Sequence, residues 1–511
     1  MRSEDVVFNT LFFIVLCALL GLVAKCACSQ LLNLKKMLKE VIESTKAFVE
    51  TMPKAQRKAY GQFFTTELTA RFMSELFVID LNLPTIRILD AGAGTGILSA
   101  AIVERIFNMG YNGNISLVLY ENDERVLPVL RRNLIAMREE RYFDFEIRTE
   151  NYLTTPSREE EFDYIIGNPP YKKIGKDEAE AKALPHVCHG APNLYFLFWA
   201  KAIETLRENQ ELVYIIPRSW TSGAYFAKFR EYLFTHCVIT HLHLFTSRDK
   251  IFSGESVLQE TIIVKVKKTT ERPQTVSITS SSTSEFADVR EFQAPYNVVV
   301  ANNQYVFLVT DEQESTTLNR LSHLEGTLSS IEHPMKTGII VDFRTREVLR
   351  DTPSDDTFPL FYSQHIRNGR VKWPVGKEDE YISTDRAGFL QENTNYLLVK
   401  RFTAKEERRR LQCGIYLQSD HPEYTHISTQ NKVNFIKCET PELAYGLYVL
   451  MNSTIYDTYY RILNGSTQVN STEINNMPVP DAATITAMGR QLMGQELTEH
   501  NCNTIIEQWI R

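Results

Sequence analysis

The chain has 511 residues, 43% apolar, 23% charged and 11% aromatic, which excludes collagen-like, disulfide-scaffold and wholly disordered classes and, at ~100–200 residues per domain, provides for several cores. The formal net charge is −7, so a polyanionic partner has to meet a local basic patch rather than the molecule as a whole. Eight cysteines without a framework of close spacings are expected to be reduced thiols of a cytoplasmic chain. His186, Cys188 and His189 lack a second ligand pair, and no metal site is expected there.

Leu11 to Ala24 runs LFFIVLCALLGLVA without a charge. Its length suits a signal-peptide core or a short membrane helix, yet Glu4 and Asp5 offset Arg2 ahead of it. A start placed too early, with Met37 as the first residue, and an accessory helix are the alternatives, so residues 1–36 are set apart and no membrane partner is expected. From Leu31 to Val49 the apolar residues fall at helical spacing, predicting an amphipathic helix. Gly61 breaks the pattern, and Thr65 or Thr66 is placed to cap a second helix reaching Ile79.

A short buried strand, IRILDAGAG, then enters a glycine loop and a helix from about Ile97 to Phe107. The strand ISLVLYEND and a helix from about Glu124 to Met137 follow. FDYIIG is a third strand, ending in Asn168-Pro169-Pro170-Tyr171. A helix from Leu194 to Leu206 leads to a fourth strand, ELVYIIPRSW. This alternation predicts a parallel, doubly wound α/β sheet with right-handed crossovers. Around Lys268 to Glu291 the composition turns to Ser, Thr and Glu, a linker or an exposed hairpin between domains. The runs YVFLVT, GIIVDF, YLLVKRF and HISTQNKVNFI beyond it suggest a separate α+β domain. The division is therefore 1–36, a catalytic domain over 37–300 and a second domain over 301–511.

In Asp90-Ala-Gly92-Ala-Gly94-Thr-Gly96, glycines let backbone amides approach a ligand where a Cβ would collide. Glu121 ends the next strand 31 residues after Asp90, where a carboxylate can accept from a ribose diol. That spacing exceeds the ~20 residues typical of dinucleotide enzymes, so NAD is not favoured. Two prolines after Asn168 hold the chain extended and remove amide donors, leaving a carbonyl and the Asn168 amide at the strand's carboxyl edge. Two acceptors there can bond both hydrogens of an exocyclic amine, and Tyr171 can stack on the ring, worth roughly 1–3 kcal/mol.

Gly61-Gln62-Phe63-Phe64-Thr65-Thr66, then the glycine loop, then NPPY occur in the order that resembles gamma-class N6-adenine DNA methyltransferases with TaqI-like motifs. In overall length the chain looks most like the PstI and BsuBI modification enzymes. The resemblance runs from about Gly61 to Val264 and weakens to about Pro480. It implies an S-adenosylmethionine-dependent, Rossmann-like catalytic domain and a DNA target-recognition domain. It further implies that Gly61, Gln62, Phe63, Phe64, Thr65, Asp90, Gly92, Gly94, Glu121 and Asn168 hold the cofactor. Asn151-Tyr152-Leu153 stands where the family often has an aspartate facing the cofactor adenine, so the resemblance implies Asn151 as a further cofactor-binding residue, one that can still bond the adenine amino group. Asn168, Pro169, Pro170 and Tyr171 are the implied catalytic set, with Phe252 stacking on a flipped base from the other side.

Flipping a base requires a grip on the duplex. Lys400, Arg401, Lys405, Arg408, Arg409 and Arg410 stand against Glu406 and Glu407, a local excess of four positive charges; Lys400, Arg401, Arg408 and Arg409 are the DNA-binding candidates. The expected activity is site-specific adenine N6-methylation of double-stranded DNA, by a monomer that is the modification half of a restriction–modification pair with a separate endonuclease. Methylation of RNA or of a protein glutamine amide, to which NPPY presents the same acceptors, is the rival chemistry. A non-catalytic DNA-binding protein is the rival class.

Overall fold

The computed structural model describes residues 36–51, 53, 65–156, 160–246, 261–301, 304–404, 406–464 and 467–510. The apolar segment Leu11–Ala24 lies outside them. Among the described residues no helix is long and apolar enough to cross a membrane. The chain divides into two compact units, one running to Trp220 and resuming over Ala224–Tyr296, the other made of Thr221–Gly223 and Asn297–Arg511.

The first unit opens with helices α1 (Met37–Thr51) and α2 (Glu67–Glu75). Thr66 caps α2, its hydroxyl accepting from the Thr69 amide at 3.2 Å. Then come β1 (Thr85–Ala91), α3 (Ile97–Asn108), β2 (Asn114–Tyr120), α4 (Leu127–Glu140), β3 (Asp144–Arg148) and β4 (Phe162–Gly167). They are followed by α5 (Ala179–Ala183), α6 (Leu194–Thr205), β5 (Leu206–Pro217), α7 (Ala227–His236), β6 (Cys237–Phe245), β7 (Thr261–Lys268), β8 (Thr275–Ser281) and β9 (Arg290–Pro295). Three amino-terminal helices meet at Glu104 of α3, only 1% exposed. Its carboxylate accepts from the Leu38 amide at 2.8 Å and pairs with Arg71 at 2.7 Å, so α1 and α2 dock on α3 through one buried charge.

The strands form a nine-stranded sheet in the order β3-β2-β1-β4-β5-β7-β6-β8-β9. All six residues of β4 are buried, as strands covered by helices on both faces must be. The sheet is mixed rather than wholly parallel: β7 lies antiparallel between β5 and β6. A buried apolar run such as TIIVKV carries no mark of strand direction, which its pairing partners decide. β3 was not foreseen, because DFEIR is an edge strand with only Arg148 buried.

The Ser/Thr-rich stretch is the hairpin rather than the linker, with its first strand largely buried instead of exposed. β8 pairs parallel with β6 and antiparallel with β9, completing the sheet edge. Its hydroxyls are buried partners for two histidines: Thr279 Oγ1 lies 2.8 Å from His241 Nε2 and 2.9 Å from His243 Nδ1, and Ser281 Oγ 3.1 Å from His243 Nε2. Burial holds both rings neutral, lowering His241 to about 4 and His243 to about 3. A polar composition here serves a buried polar network.

The second unit holds α8 (Glu312–Ser322), β10 (Thr357–Phe361), β11 (Tyr381–Ser383), β12 (Asn395–Lys400), β13 (Cys413–Tyr416), β14 (His426–Thr429) and β15 (Val433–Cys438). Helices α9 (Pro441–Asn452), α10 (Thr454–Leu463), α11 (Ala482–Leu492) and α12 (Glu499–Trp509) close the chain. β12 sits between β13 and β15 in a six-stranded sheet; β10, β11 and β14 belong to a five-stranded one. α9 and α11 cross where neither has a side chain. A Cβ on Gly446 would lie 1.9 Å from the Ile485 carbonyl oxygen, and one on Gly489 1.8 Å from that of Glu442.

Gly489→Ala is expected to lower the stability of the second unit by roughly 3 kcal/mol or more, since backbone rather than a flexible side chain must yield. Gly388→Ala, with nothing within 4 Å of its Cβ position, is expected to change the melting temperature little. Thermal unfolding of the two variants checks both.

Candidate active site

At the carboxyl ends of β1, β2 and β4 lies a cavity of ≈ 960 Å³, lined by Gly92, Gly94, Glu121, Asn151, Asn168, Pro170, Glu180 and Phe198 among others. Open α/β sheets place ligands at this edge. The loop after β1 turns through three left-handed glycines, Gly92 (φ +78°), Gly94 (+56°) and Gly96 (+88°). A side chain at any of them would be strained. Gly96 then starts α3.

Two buried carboxylates stabilise this loop. Glu121 Oε2 accepts from the Gly94 amide at 2.9 Å, and its Oε1 accepts from the Asn122 and Asp123 amides at 2.9 Å each. Desolvation still pushes its pKa up against those three bonds. Asp90, 1% exposed, accepts from Ser99 Oγ at 2.7 Å on one oxygen and has no hydrogen-bond partner on the other. Burial raises its carboxyl to about 7.

Asn168 hangs from the end of β4. Its amide nitrogen donates to Thr65 Oγ1 at 3.3 Å, and its oxygen accepts from the Tyr171 hydroxyl at 2.7 Å. That hydroxyl also lies 3.0 Å from the Ile215 carbonyl of β5. Tyr171 differs from the open stacking platform expected of it: the residue is 7% exposed and its ring packs edge-on against Tyr195, 6.4 Å between centroids. Here it orients the Asn168 amide from beneath. Pro169 is buried and Pro170 half-buried at the cavity wall.

Asn151 faces the same cavity. Its oxygen accepts from the Leu153 amide at 3.0 Å and from that of Thr154 at 3.4 Å, while its nitrogen donates to Glu180 Oε1 at 2.8 Å. Gly61, Gln62, Phe63, Phe64 and Phe252 lie outside the described residues.

Several contributors escaped the sequence reading. Glu180 and Phe198 line the cavity, and Lys201 donates to the carbonyls of Leu153 (3.2 Å) and Thr155, holding the Asn151 turn. Asn193 caps α6 and donates to the Tyr171 carbonyl at 3.0 Å. Only Asn193 carried a local signal, an N-cap residue ahead of an apolar helix.

In the second unit the basic run is largely spent internally. Arg409, expected as a DNA contact, is turned inward. Its side chain is 13% exposed, it pairs with Glu499 at 3.0 Å, and it donates to the carbonyls of Met451 and Ser453 at the end of α9. Arg401 donates to the Asn431 carbonyl at 3.0 Å and Lys400 to Gln412 Oε1 at 2.9 Å. Arg408 is 86% exposed and pairs with Glu499 at 2.8 Å. Arg410 is buried, and its amide and that of Leu411 donate to Asp457 at 2.8 Å. Lys405 lies outside the described residues.

A glycine loop closed by an acid on the neighbouring strand, with an Asn-Pro-Pro-Tyr corner across from it, places the first unit among Rossmann-like methyltransferases. A family model described as Eco57I restriction-modification methylase matches residues 97–252. Type II methyltransferase M.BsuBI of Bacillus subtilis is 32% identical over 473 residues, 88% of this chain and 93% of that protein. M.PstI of Providencia stuartii is 32% identical over 490 residues, 90% of this chain and 94% of that protein. The chain belongs to this family of type II restriction–modification methyltransferases. Among solved structures, the type IIL restriction-modification enzyme MmeI in complex with DNA aligns over 94% of this chain and 75% of its own, at 12% identity and a TM-score of 0.47.

Asp90 makes stability depend on pH. The folded carboxyl ionises near about 7 against an ordinary 3.8, so the folded state binds the extra proton between those values. Stability therefore falls as pH rises from about 4 to about 7 and is level above that. Asp90→Asn keeps an acceptor for Ser99 and removes the titration. Its melting-temperature advantage over the native chain is expected to grow across that window and then hold.

Proposed function

We propose that the protein is a site-specific DNA adenine N6-methyltransferase that uses S-adenosylmethionine. It is the modification component of a system whose restriction endonuclease is a separate chain, and it works as a cytoplasmic monomer. The observation that carries the reading is the posture of Asn168: its amide is gripped from two sides, by Thr65 and Tyr171, at the rim of a cavity built around a glycine loop.

The residues present fit the cofactor. The left-handed glycines keep Cβ atoms out of a ligand's way along the loop, and Glu121 stands beside it with its carboxylate already oriented by three amides. The lining includes Glu121, Asp123, Glu124, Glu150 and Glu180 against Arg125 and Lys172, an acidic excess that suits a cationic ligand. S-adenosylmethionine, when bound, supplies an electrophilic methyl group on a sulfonium.

The chain's own task is to make a poor nucleophile competent. An adenine amine has its lone pair delocalised into the ring. The Asn168 oxygen and the Pro169 carbonyl accept its two hydrogens and favour a tetrahedral nitrogen whose lone pair points at the methyl group. Tyr171, by donating to the Asn168 oxygen, fixes which face of the amide the amine meets. Holding the amine and the methyl group in line is the larger part of the acceleration. The second unit holds the duplex, with Arg408, Lys400 and Arg401 as candidate phosphate contacts.

The test offers the purified chain labelled S-adenosylmethionine together with duplex DNA, RNA and a glutamine-containing peptide. Label is expected in duplex DNA as N6-methyladenine, identified by mass spectrometry of the nucleosides; label in RNA or in glutamine instead would replace the reading. Asn168→Ala is expected to lower turnover by about 100-fold or more, and full activity in that variant would sink the mechanism. Tyr171→Phe keeps the ring and removes the hydroxyl, so turnover should fall by about tenfold, the scale of one lost orienting hydrogen bond.

A further inference from the structure

We infer that Glu180 is the residue that recognises the exocyclic amine of the cofactor's adenine, and that Asn151 acts on that recognition only by orienting Glu180. The inference rests on the cofactor reading above.

Strand order sets the layout. With β3-β2-β1-β4 in sequence across the sheet, the cavity runs from Asn168 after β4, past the glycine loop after β1 and Glu121 after β2, to Asn151 in the segment after β3. A nucleoside ligand whose reactive end faces Asn168 and whose ribose diol meets Glu121 extends its base toward Asn151 and Glu180. An exocyclic amine at that end needs an acceptor. Asn151 has none to give: its amide oxygen, with two lone pairs, already accepts from the Leu153 and Thr154 amides, and its nitrogen is a donor.

That donor points at Glu180 Oε1, 2.8 Å away. One carboxylate oxygen is thereby pinned and the rotation of the group fixed, while Glu180 Oε2 has no hydrogen-bond partner among the described residues. Among the other lining acids, Asp123 is paired with Arg125 at 2.5 Å and Glu121 is the one placed to meet the ribose diol, whereas Glu180 is the acid that the Asn151 amide itself contacts. Glu180 is half-buried and lines the same cavity. It lies on α5, far in sequence from the turn that orients it, so no local motif marks it.

The test is calorimetric titration of the full chain with S-adenosylhomocysteine and with S-inosylhomocysteine, whose ring bears a carbonyl where adenine bears the amine. The native chain is expected to prefer the adenosyl compound by about tenfold or more, because a site built to accept a hydrogen bond rejects an acceptor. Glu180→Ala should collapse that preference to within about twofold. In Glu180→Gln, Asn151 still pins an oxygen and turns the new NH₂ toward the base, so the preference should move toward the inosyl compound. Asn151→Ala should weaken the discrimination while Glu180 remains.

Native discrimination persisting in a folded Glu180→Ala variant would overturn the inference, and Glu180→Gln carries the test if the alanine variant does not fold. A native chain that binds the adenosyl compound without preferring it would defeat this inference alone. A native chain that binds neither would defeat the cofactor reading and this inference with it.

Discussion

The carboxylate of Glu121 is the constraint on which the rest of the catalytic unit depends. The amides of Gly94, Asn122 and Asp123 all point into one small region at the ends of β1 and β2. Left there without acceptors, each would cost about 1–3 kcal/mol. A single buried carboxylate satisfies all three, and so fixes the glycine loop against the neighbouring strand. The left-handed geometry of Gly92, Gly94 and Gly96, the start of α3 and the mouth of the cavity follow from that arrangement. Asp90, one strand-end away, shows the opposite case: an acid with one oxygen unmatched, kept near neutrality by burial.

A second network holds the other end of the cavity. Asn168 is fixed by Thr65 from the segment before α2 and by Tyr171 from below, and Tyr171 is itself steadied by the Ile215 carbonyl of β5 and by Asn193 at the head of α6. The amide thus rests on contributions from four separate stretches of chain, so its orientation is a property of the folded unit. A flexible asparagine at a strand end pays entropy each time it adopts the productive pose. Here that ordering has been done by the fold.

In the second unit, positive charge in the sequence is a poor guide to positive charge at the surface. Arg409 closes the end of α9, Arg410 is buried beside Asp457, and Arg401 ties two loops together. Arginine suits this work because its planar fork satisfies several carbonyls at once and stays charged while doing so. Of the six basic residues in that run, Arg408 is the one whose guanidinium is found exposed among those described.

The sequence by itself determined what depends on local chemistry: the glycine loop, the helix cap at Thr66, the buried runs of β1, β2, β4 and β5, and the NPPY corner. Each announces itself through residue type and period, because left-handed turns, N-caps and doubly covered strands admit few residues. Only the tertiary structure decided what depends on partners remote in the chain. It set the antiparallel course of β7, which a buried apolar run leaves open, and it gave the Ser/Thr stretch to the histidines of β6. It brought the Tyr171 hydroxyl to the Asn168 oxygen and the Asn151 amide nitrogen to Glu180. Hydrogen-bond capacity is finite. Which group spends it on which neighbour is settled only when the neighbours have been brought together.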